Sequence, residues 1–452
     1  TSSQTIKATT YNLLKVNNAA GATLGGTATV TTFTIGDVTA NSVFNDGGFQ
    51  ITSTGTLNLT SGTFKLGSAG TATAFPAFST INISSGTTVE YTAGVAQTVS
   101  NTPTYSNLTI SGSATKTLAG ATTVNSDLTV SAGTLDPATY TITGSGTNTL
   151  SVTGTILVDA STFAGNYASF ETRTLNTGST VNYKGTTQTV DNLTYSNLTI
   201  SGSATKTLAG ATTVNSDLTV SAGTLDPATY TITGSGTNTL SVTGTILVDA
   251  STFAGNYASF ETRTLNTGST VNYKGTTQTI DNLTYSNLTI SGSATKTLAG
   301  ATTVNSDLIV NSTTTLDTST YAFTLSGNLT VNGSITGSGT ITLNGTTKNI
   351  DGTGSMDNPV TISDPHTVLT GANLTFAGAV TLSTATGDVN NNGTVTATNT
   401  INGTAAGSTW TNGTNATLNY GGTTTLMNTG TLTATASGNT VNYNGATQTI
   451  KA

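Results

Sequence analysis

The sequence predicts an all-β protein that folds as a parallel β-helix, or β-solenoid, of about 20 coils. Three observations support this fold. The chain repeats itself overtly, apolar and polar residues alternate over short stretches, and β-branched residues dominate the composition. Coils that stack at the strand spacing of about 4.8 Å would form a rod roughly 100 Å long.

Composition narrows the class of protein. The chain has 452 residues, of which 34% are hydrophobic and only 7% are charged, and it contains no cysteine. Threonine makes up roughly a quarter of each repeat, far above ordinary usage. Disorder requires high net charge and few β-branched residues, so a folded chain is expected. The net charge is -7 and the sequence contains no cluster of basic residues, so nucleic-acid binding is not expected. No apolar run approaches the length of a membrane span, so membrane insertion is not expected either.

The repeats are visible by eye. Residues 105–218 match residues 195–308 with one difference, Val190 against Ile280, so the period is 90 residues. A shorter motif, Gln-Thr followed by Ile or Val, recurs along the whole chain and is usually followed by a tyrosine. It begins at Gln4, Gln97, Gln188, Gln278 and Gln448. These motifs predict five modules, with boundaries at residues 1–96, 97–187, 188–277, 278–347 and 348–452.

Within a module, short strands alternate with turns. Leu108 and Ile110, Leu128 and Val130, and Leu150 and Val152 form apolar pairs about 20 to 22 residues apart, which is a coil spacing rather than a hairpin spacing. An array of β-sandwich domains is the alternative, because sandwich domains of about 100 residues fit the repeat length. Short strands, a single tryptophan and the lack of linkers at the boundaries favour the solenoid.

Two segments carry a resemblance to a known class of proteins. The stretches YSNLTISGSATKTLAGATTVNSDLTVSAGTLD and GSTVNYKGTTQTVDNLT resemble the β-strand repeats of large bacterial surface and secreted proteins. They are similar in style to filamentous-haemagglutinin-like and autotransporter-passenger β-helices. The resemblance spans essentially the whole chain. It implies export, an extracellular or cell-surface location, and a role in adhesion or in a biofilm matrix, and it brings no catalytic motif with it.

No catalytic residue is expected, because catalysis needs several special side chains in one place. The one histidine, His366, follows Asp364 and Pro365 and is interpreted as a turn residue. Most acidic residues belong to the repeat, and Asp127, Asp136 and Asp159 are interpreted as turn residues as well. Glu171 and Arg173 are interpreted as a weak surface ion pair.

Two further motifs could have either a functional or a purely structural role. The run that contains Asp388, Asn390 and Asn392 partly matches a calcium loop but lacks the final acidic ligand, so it is only a weak metal candidate and no cofactor is expected. Many Asn-x-Ser/Thr sequons occur, since the chain is rich in these residues. The glycosylation candidates are Asn107, Asn197 and Asn287.

The sequence favours a structural subunit of an extracellular fibre or cell-surface stalk, without enzymatic activity. The same five residues occur near both ends of the sequence, which predicts a homopolymer that grows by axial, head-to-tail stacking of coils. An excerpt of a longer covalent repeat is the alternative that gives the same match. The interface candidates are Gln4, Thr5, Ile6, Lys7, Ala8, Gln448, Thr449, Ile450, Lys451 and Ala452. Deleting residues 1–8 is then expected to stop growth. The alternatives are an adhesin segment that binds glycans or cell surfaces and, more distantly, a polysaccharide lyase or hydrolase of the β-helix type.

Overall fold

The predicted fold is confirmed by a computed structural model, which describes residues 2–37 and 41–450. The chain is an all-β parallel β-solenoid of about 21 turns with about 2% helix. It divides into two compact units, Thr1–Gly223 with Thr233–Thr239, and Thr224–Ile232 with Leu240–Ala452. The strands Ile232–Gly234 and Thr239–Val242 contain points at which the chain passes from one unit to the other.

In the first unit, parallel strands from successive turns form ribbon-like sheets. A nine-stranded sheet has the order Gln4–Ile6, Ala22–Leu24, Ser42–Asn45, Gly62–Leu66, Thr88–Tyr91, Asn107–Ile110, Leu128–Val130, Thr149–Val152 and Thr172–Leu175. A second sheet has the order Gln97–Val99, Thr115–Leu118, Thr134–Asp136, Thr155–Val158, Thr180–Tyr183, Asn197–Ile200 and Leu218–Val220. Shorter sheets contain Thr10–Val16, Ala28–Ile35, Thr56–Leu59 and Thr80–Ile83, with Ile51–Thr52 beside Ala28–Ile35, and Thr122–Thr123, Ile142–Thr143 and Tyr167–Ala168. Gln188–Val190 pairs with Thr205–Leu208, and Thr194–Tyr195 pairs with Thr212–Val214.

The second unit is built in the same way. One sheet has the order Thr224–Asp226, Thr245–Val248, Thr270–Tyr273, Asn287–Ile290, Leu308–Val310, Leu329–Val331, Lys348–Asp351, His366–Val368, Val389–Asn391, Thr409–Asn412 and Thr431–Thr433. A nine-stranded sheet has the order Gln278–Ile280, Ala294–Leu298, Thr314–Asp317, Ser334–Thr336, Ser355–Met356, Asn373–Phe376, Thr394–Ala397, Thr417–Tyr420 and Thr440–Tyr443. A seven-stranded sheet has the order Thr284–Tyr285, Thr302–Val304, Phe323–Leu325, Ile341–Leu343, Val360–Ile362, Val380–Leu382 and Ile401–Gly403. The strands Tyr257–Ala258 and Thr262–Leu265 also belong to this unit.

Period-two alternation places apolar side chains inside each turn. In the strand Asn107–Ile110, Leu108 and Ile110 are buried while the two polar residues are half-buried. Leu108 lies beside Leu128, which lies beside Leu150 one turn further on. Full burial of such a side chain stabilises the fold by about 1.5–3 kcal/mol. Because every turn adds the same contacts to its neighbours, the fold needs no single large core.

A ladder of Asn and Asp side chains links the beginnings of strands in successive turns. The Asn107 Oδ1 accepts a hydrogen bond from the backbone N–H of Asp127 at 3.1 Å, and the Asp127 Oδ1 accepts one from Thr149 at 2.9 Å. Asp127 is therefore a ladder residue and not a turn residue. Its repeat equivalent, Asp217, has the same role and accepts from Thr239 at 2.9 Å. These bonds satisfy backbone donors where the strand pairing begins.

Each of the two near-identical repeats contains a single helical turn that the residue pattern did not predict. The helices are Phe163–Asn166 and Phe253–Asn256. Thr162 caps the first helix, since its side chain accepts a hydrogen bond from the backbone N–H of Gly165 at 3.1 Å. The buried Asn166 side chain accepts from the backbone of Asp159 and donates to the Tyr140 carbonyl at 2.7 Å. One capped turn is too short to leave a periodic signal.

Candidate functional site

The recurring Gln-Thr-Ile/Val motif marks a change of sheet. Each described copy that forms a strand is the first strand of its sheet: Gln4–Ile6, Gln97–Val99, Gln188–Val190 and Gln278–Ile280. Shortly before three of these strands, another sheet reaches its last strand: Thr80–Ile83, Thr172–Leu175 and Thr262–Leu265. We call each such region a joint. The predicted module boundaries at residues 97, 188 and 278 coincide with joints, whereas Lys348–Asp351 lies between two paired neighbours in a continuing sheet.

The glutamine side chain satisfies backbone groups where the new sheet starts. The Gln188 Nε2 donates to the carbonyls of Val158 at 2.8 Å and Ala160 at 2.7 Å. Gln278 repeats these bonds, and Gln97 donates in the same way to two carbonyls at 3.1 and 3.0 Å. Gln97, Gln188 and Gln278 are all buried. The first strand of a sheet has no strand of that sheet in the preceding turn. The glutamine side-chain amide therefore donates hydrogen bonds to backbone carbonyls of the preceding turn, which a paired strand would otherwise have done.

A pair of buried tyrosines closes each joint. The hydroxyls of Tyr183 and Tyr195 lie 3.0 Å apart, and the Tyr195 hydroxyl donates to the Asp191 carbonyl at 2.7 Å. The same pair appears as Tyr273 with Tyr285 at 3.0 Å. At the first joint, Tyr91 and Tyr105 lie 2.9 Å apart, and burial raises the pKa of Tyr91 to about 12. The phenols therefore stay neutral at physiological pH and serve as hydrogen-bond partners rather than as nucleophiles.

Charged residues surround the second joint. The Lys184 Nζ lies 2.9 Å from the Asp159 carboxylate and 3.3 Å from that of Asp136. Burial lowers the pKa of Lys184, but the hydrogen bonds and charges of the two aspartates outweigh that effect, and the pKa lies above its ordinary value. Lys274 repeats this arrangement with Asp226 and Asp249, each at 3.1 Å.

The prediction of an ion pair between Glu171 and Arg173 is wrong. Arg173 is paired with Asp191 at 3.8 Å, and its guanidinium lies 5.2 Å from the centre of the Phe163 ring. Arg173 occupies the position beside Leu150 on the last strand of its sheet. Arg173 therefore follows Leu128 and Leu150 in the inward-facing row of this sheet and covers Leu150, since the sheet has no further strand.

A lysine that the residue pattern did not single out lies directly above each joint glutamine. Lys116 lies beside Gln97, Lys206 beside Gln188 and Lys296 beside Gln278. All three lysines are buried, and burial lowers their pKa. The Lys206 Nζ donates to the Ser203 carbonyl. Their alternation with apolar residues is the signal that could have identified them as inward-facing.

Eight of the ten predicted interface residues lie within the described part of the chain. Gln4–Ile6 pairs with Ala22–Leu24 and so is a first strand like its internal counterparts. The Gln448 Nε2 donates to the carbonyls of Tyr420 at 2.8 Å and Gly422 at 2.9 Å, which matches the bonds of Gln188. Lys7 and Ala8 are exposed. Lys451 and Ala452 lie outside the described residues.

The glycosylation candidates lie at the beginnings of strands. Asn107, Asn197 and Asn287 are half-buried. The Asn107 Nδ2 donates to the Thr87 carbonyl at 3.1 Å while its Oδ1 accepts from the next turn. Both ends of the amide are thus engaged in the ladder. Glycosylation at these sites stays a prediction.

The weak metal candidate is spread along one strand and its edges. The Asp388 Oδ1 accepts a hydrogen bond from the backbone N–H of Thr409 at 2.9 Å, so it acts as a ladder residue. Asn390 and Asn392 are exposed. Within residues 2–37 and 41–450, no group of three or more His, Cys, Asp or Glu side chains is arranged to hold a metal ion.

The interpretation of His366 as a turn residue is wrong. His366 begins the strand His366–Val368 and is buried, with its Nδ1 at 2.8 Å from the Asp364 carbonyl. Its Nε2 has no hydrogen-bond partner in the described part of the chain. Burial lowers the pKa of His366, which favours the neutral ring. An isolated buried imidazole of this kind is a packing residue.

Comparisons with known proteins found no matching family model, no matching curated protein and no matching solved structure. Neither of the two helices in the described ranges has the length and apolar character needed to cross a membrane. The joint, which recurs with the same internal hydrogen bonds, is thus the most distinctive site of the chain. Its chemistry is hydrogen bonding and strand pairing.

Proposed function

We propose that this chain is a structural segment of an extracellular fibre or cell-surface stalk, in which the solenoid acts as a spacer. The observation that supports this best is that one sheet continues through every joint. The strand pairs that pass through are Thr88–Tyr91 with Asn107–Ile110, Thr180–Tyr183 with Asn197–Ile200, and Thr270–Tyr273 with Asn287–Ile290. Because one sheet continues past the end of another at each of these three joints, modules can follow one another there without a break in backbone hydrogen bonding.

Near-identical repetition supports the same role. A spacer gains length from each repeat, whereas a binding or catalytic centre would need only one copy. The joint is duplicated down to its hydrogen bonds, since Gln188 and Gln278 donate to equivalent carbonyls at nearly equal distances. The extracellular location in this proposal rests on the resemblance to bacterial surface and secreted β-strand repeats.

Deletion of one repeat tests the proposal. Removing residues 105–194 creates no new sequence junction, because residues 195–308 repeat residues 105–218 with one difference. A spacer should keep its β-rich circular dichroism spectrum and lose about four turns, or roughly 20 Å of length at 4.8 Å per turn. Small-angle scattering measures this change, and a duplicated repeat should add the same length. Loss of the fold, or a length that does not follow repeat number, would contradict the spacer role.

Glycan binding is a second candidate function, and one surface feature favours it. In the seven-stranded sheet, the outward side chains of consecutive strands form a column: Thr303, Thr324, Thr342, Thr361 and Thr381. Their hydroxyls make no hydrogen bond to other described residues, so they are available to the hydroxyls of a neutral polysaccharide. Thr342→Val with Thr361→Val should then weaken retention on such a polysaccharide. Thr129→Val in the first unit is the control, and equal retention of all variants would contradict this function.

A further inference from the structure

We propose that His366 makes the second unit acid-sensitive: its turn of the solenoid stays closed while the imidazole is neutral and opens locally when the imidazole takes up a proton. His366 is the only histidine of the chain. It lies on the strand His366–Val368, between the strands Lys348–Asp351 and Val389–Asn391 of the second unit. The opening depends on the protonation of one residue and not on what the chain binds, so it goes beyond the spacer role.

The surroundings of the ring fit the neutral imidazole and leave the protonated form without a partner. Nδ1 lies 2.8 Å from the Asp364 carbonyl, and since a carbonyl only accepts, Nδ1 carries the hydrogen and donates it. Nε2 then holds a lone pair in the neutral ring. Within the described residues Nε2 has no hydrogen-bond partner, and His366 is only 1% exposed. A proton on Nε2 would therefore create a buried donor and a buried charge without an acceptor.

The charged groups closest to His366 favour the neutral ring on balance. Lys348 lies directly beside His366 on the preceding turn, and a positive charge there opposes a second one. Asp364 has the opposite effect, and it is half-buried. Burial has the largest effect, and together with Lys348 it outweighs Asp364, so the pKa of His366 is lowered from its ordinary value of 6.5.

Other acidic groups on the neighbouring strands are engaged elsewhere. The Asp388 carboxylate accepts a hydrogen bond from the backbone N–H of Thr409 at 2.9 Å, and the Asp351 carboxylate accepts one from Gly352 at 2.7 Å. The other two sheets bury only apolar side chains in these three turns, on the strands Ile341–Leu343, Ser355–Met356, Val360–Ile362, Asn373–Phe376, Val380–Leu382 and Thr394–Ala397. A protonated His366 would therefore face an apolar interior.

The direction of the pH effect follows from the lowered pKa. The unfolded chain takes up a proton on the imidazole below a pKa of about 6.5, whereas the folded chain does so only at lower pH. Stability is therefore lost as the pH falls from about 6.5 toward the folded-state pKa. Burial raises the pKa of the Asp46 and Asp249 carboxyls, so acid relieves the cost of burying their charge and acts in the opposite direction. His366 is thus expected to weaken the second unit between pH 7 and pH 5.

The single tryptophan lies in the same inward row and gives the opening a specific signal. His366 lies beside Val389, and Val389 lies beside Trp410 one turn further on. At about 4.8 Å per turn, the strands of His366 and Trp410 are about 10 Å apart. Trp410 is 1% exposed, so opening of this region would bring it into water. Because the chain has one tryptophan, its fluorescence reports on this part of the second unit alone.

Chemical denaturation of the full chain, followed by Trp410 fluorescence at pH 7 and pH 5, tests the proposal. The unfolding equilibrium constant of the wild-type chain should rise up to about 25-fold on acidification, because each pH unit between the two pKa values changes it tenfold. His366→Phe and His366→Gln have no titratable group there and should lack this rise. One replacement is apolar and the other polar, so a packing defect in one does not remove the test. An equal rise in wild type and variants, or no rise in the wild type, would overturn the proposal.

Hydrogen exchange locates the opening in the chain. The strands Lys348–Asp351, His366–Val368 and Val389–Asn391 should lose protection at pH 5 relative to pH 7, after correction for the intrinsic effect of pH on exchange. The strands Thr88–Tyr91 and Asn107–Ile110 are the internal control, because the first unit contains no histidine. Equal loss of protection in both units, or the same loss in His366→Phe, would overturn the role of His366. A second unit that is equally stable at both pH values would refute the acid response and leave the spacer role standing.

Discussion

The joint at Gln97 and the joint at Gln188 share their internal hydrogen bonds but differ in their charges. In both, the glutamine amide donates to two carbonyls and a pair of tyrosine hydroxyls lies about 3 Å apart, at 2.9 Å in the first and 3.0 Å in the second. Around Gln188, Lys184 lies between Asp136 and Asp159. At the first joint Thr92 occupies the position of Lys184, and the ion pair there is a different one, Lys65 with Glu90 at 3.0 Å.

The two joints share their buried hydrogen bonds but not their ion pairs, which indicates that the fold requires the hydrogen bonds and not the particular ion pairs. Buried polar groups must be hydrogen-bonded, because an unpaired one costs about 1–3 kcal/mol. Ion pairs that remain partly in water contribute about 0–1 kcal/mol, so their identity is free to vary. The Lys184 side chain is 31% exposed and the Lys65 side chain is 35% exposed. Substitutions should therefore have effects in the order apolar core, glutamine, tyrosine and ion pair.

The largest effect is expected for a charge in the strand that passes through the joint. Ile110→Asp and Ile200→Asp each bury an unpaired carboxylate beside Tyr91 and Tyr183, respectively. Each should destabilise its surroundings by several kcal/mol, about 4 or more. Calorimetry and hydrogen exchange should show equal effects at the two joints. A difference beyond about 1 kcal/mol would mean that the charges around Gln188 alter the core itself.

The second-largest effect on stability is expected for the joint glutamines, Gln97 and Gln188. Gln97→Leu and Gln188→Leu keep the side-chain volume roughly constant but remove the donor to the carbonyls of Thr73 and Ala160, respectively, whereas the carbonyls of Leu66 and Val158 keep a backbone donor. Each substitution should therefore cost about 1–3 kcal/mol. Hydrogen exchange can be assigned to the second joint, because peptides that contain Val190 differ in mass from those that contain Ile280. Thr187→Val, at an exposed position next to the motif, is the control. An effect no larger than that of the control would remove the glutamine from the required part of the joint.

The repeating pattern of single strands was enough to predict the solenoid. Pairs such as Leu108 and Ile110 recur at the coil spacing, and the structure places them in the stacked interior. The Gln-Thr-Ile/Val motif was recognisable as a recurring feature for the same reason, and each described strand of the motif is the first strand of a sheet. The start of one sheet and the end of another near this motif were not predictable, because the register between turns decides which strands become neighbours.

Long-range register also explains the residues that were missed or misassigned. Lys184 and Asp136 are 48 residues apart in sequence and meet only because their turns stack. Arg173 was paired with its sequence neighbour Glu171, yet it points inward and meets Asp191 and Phe163. His366 follows Asp364 and Pro365, which are typical of turns, but its backbone joins the ladder of the neighbouring turns.

A smaller effect is expected for the tyrosine hydroxyls. Tyr105→Phe and Tyr195→Phe each remove a hydroxyl that bonds to a second tyrosine and to a backbone carbonyl. Each should lower stability by about 1–2 kcal/mol. The two variants should match each other in thermal unfolding, since both joints contain the same pair. Unequal losses would show that Asp191, which is absent from the first joint, strengthens the pair at the second.

The smallest effect is expected for the ion pairs, and its dependence on pH and salt identifies it. Lys184→Met at the second joint and Lys65→Met at the first should each cost less than about 1 kcal/mol, and the loss should shrink at high ionic strength. The pKa of Lys184 is raised in the folded state. The stabilisation by this lysine is therefore fully present below the unfolded-state pKa of about 10.4 and is lost as the pH rises through the higher folded-state pKa. The wild-type chain and Lys184→Met should thus converge in stability at strongly alkaline pH.

Chemical denaturation at pH 7 and above pH 11, in low and in high salt, measures this convergence. If Lys184→Met cost as much as Gln188→Leu, and equally at both pH values, the charges would belong to the required part of the joint after all.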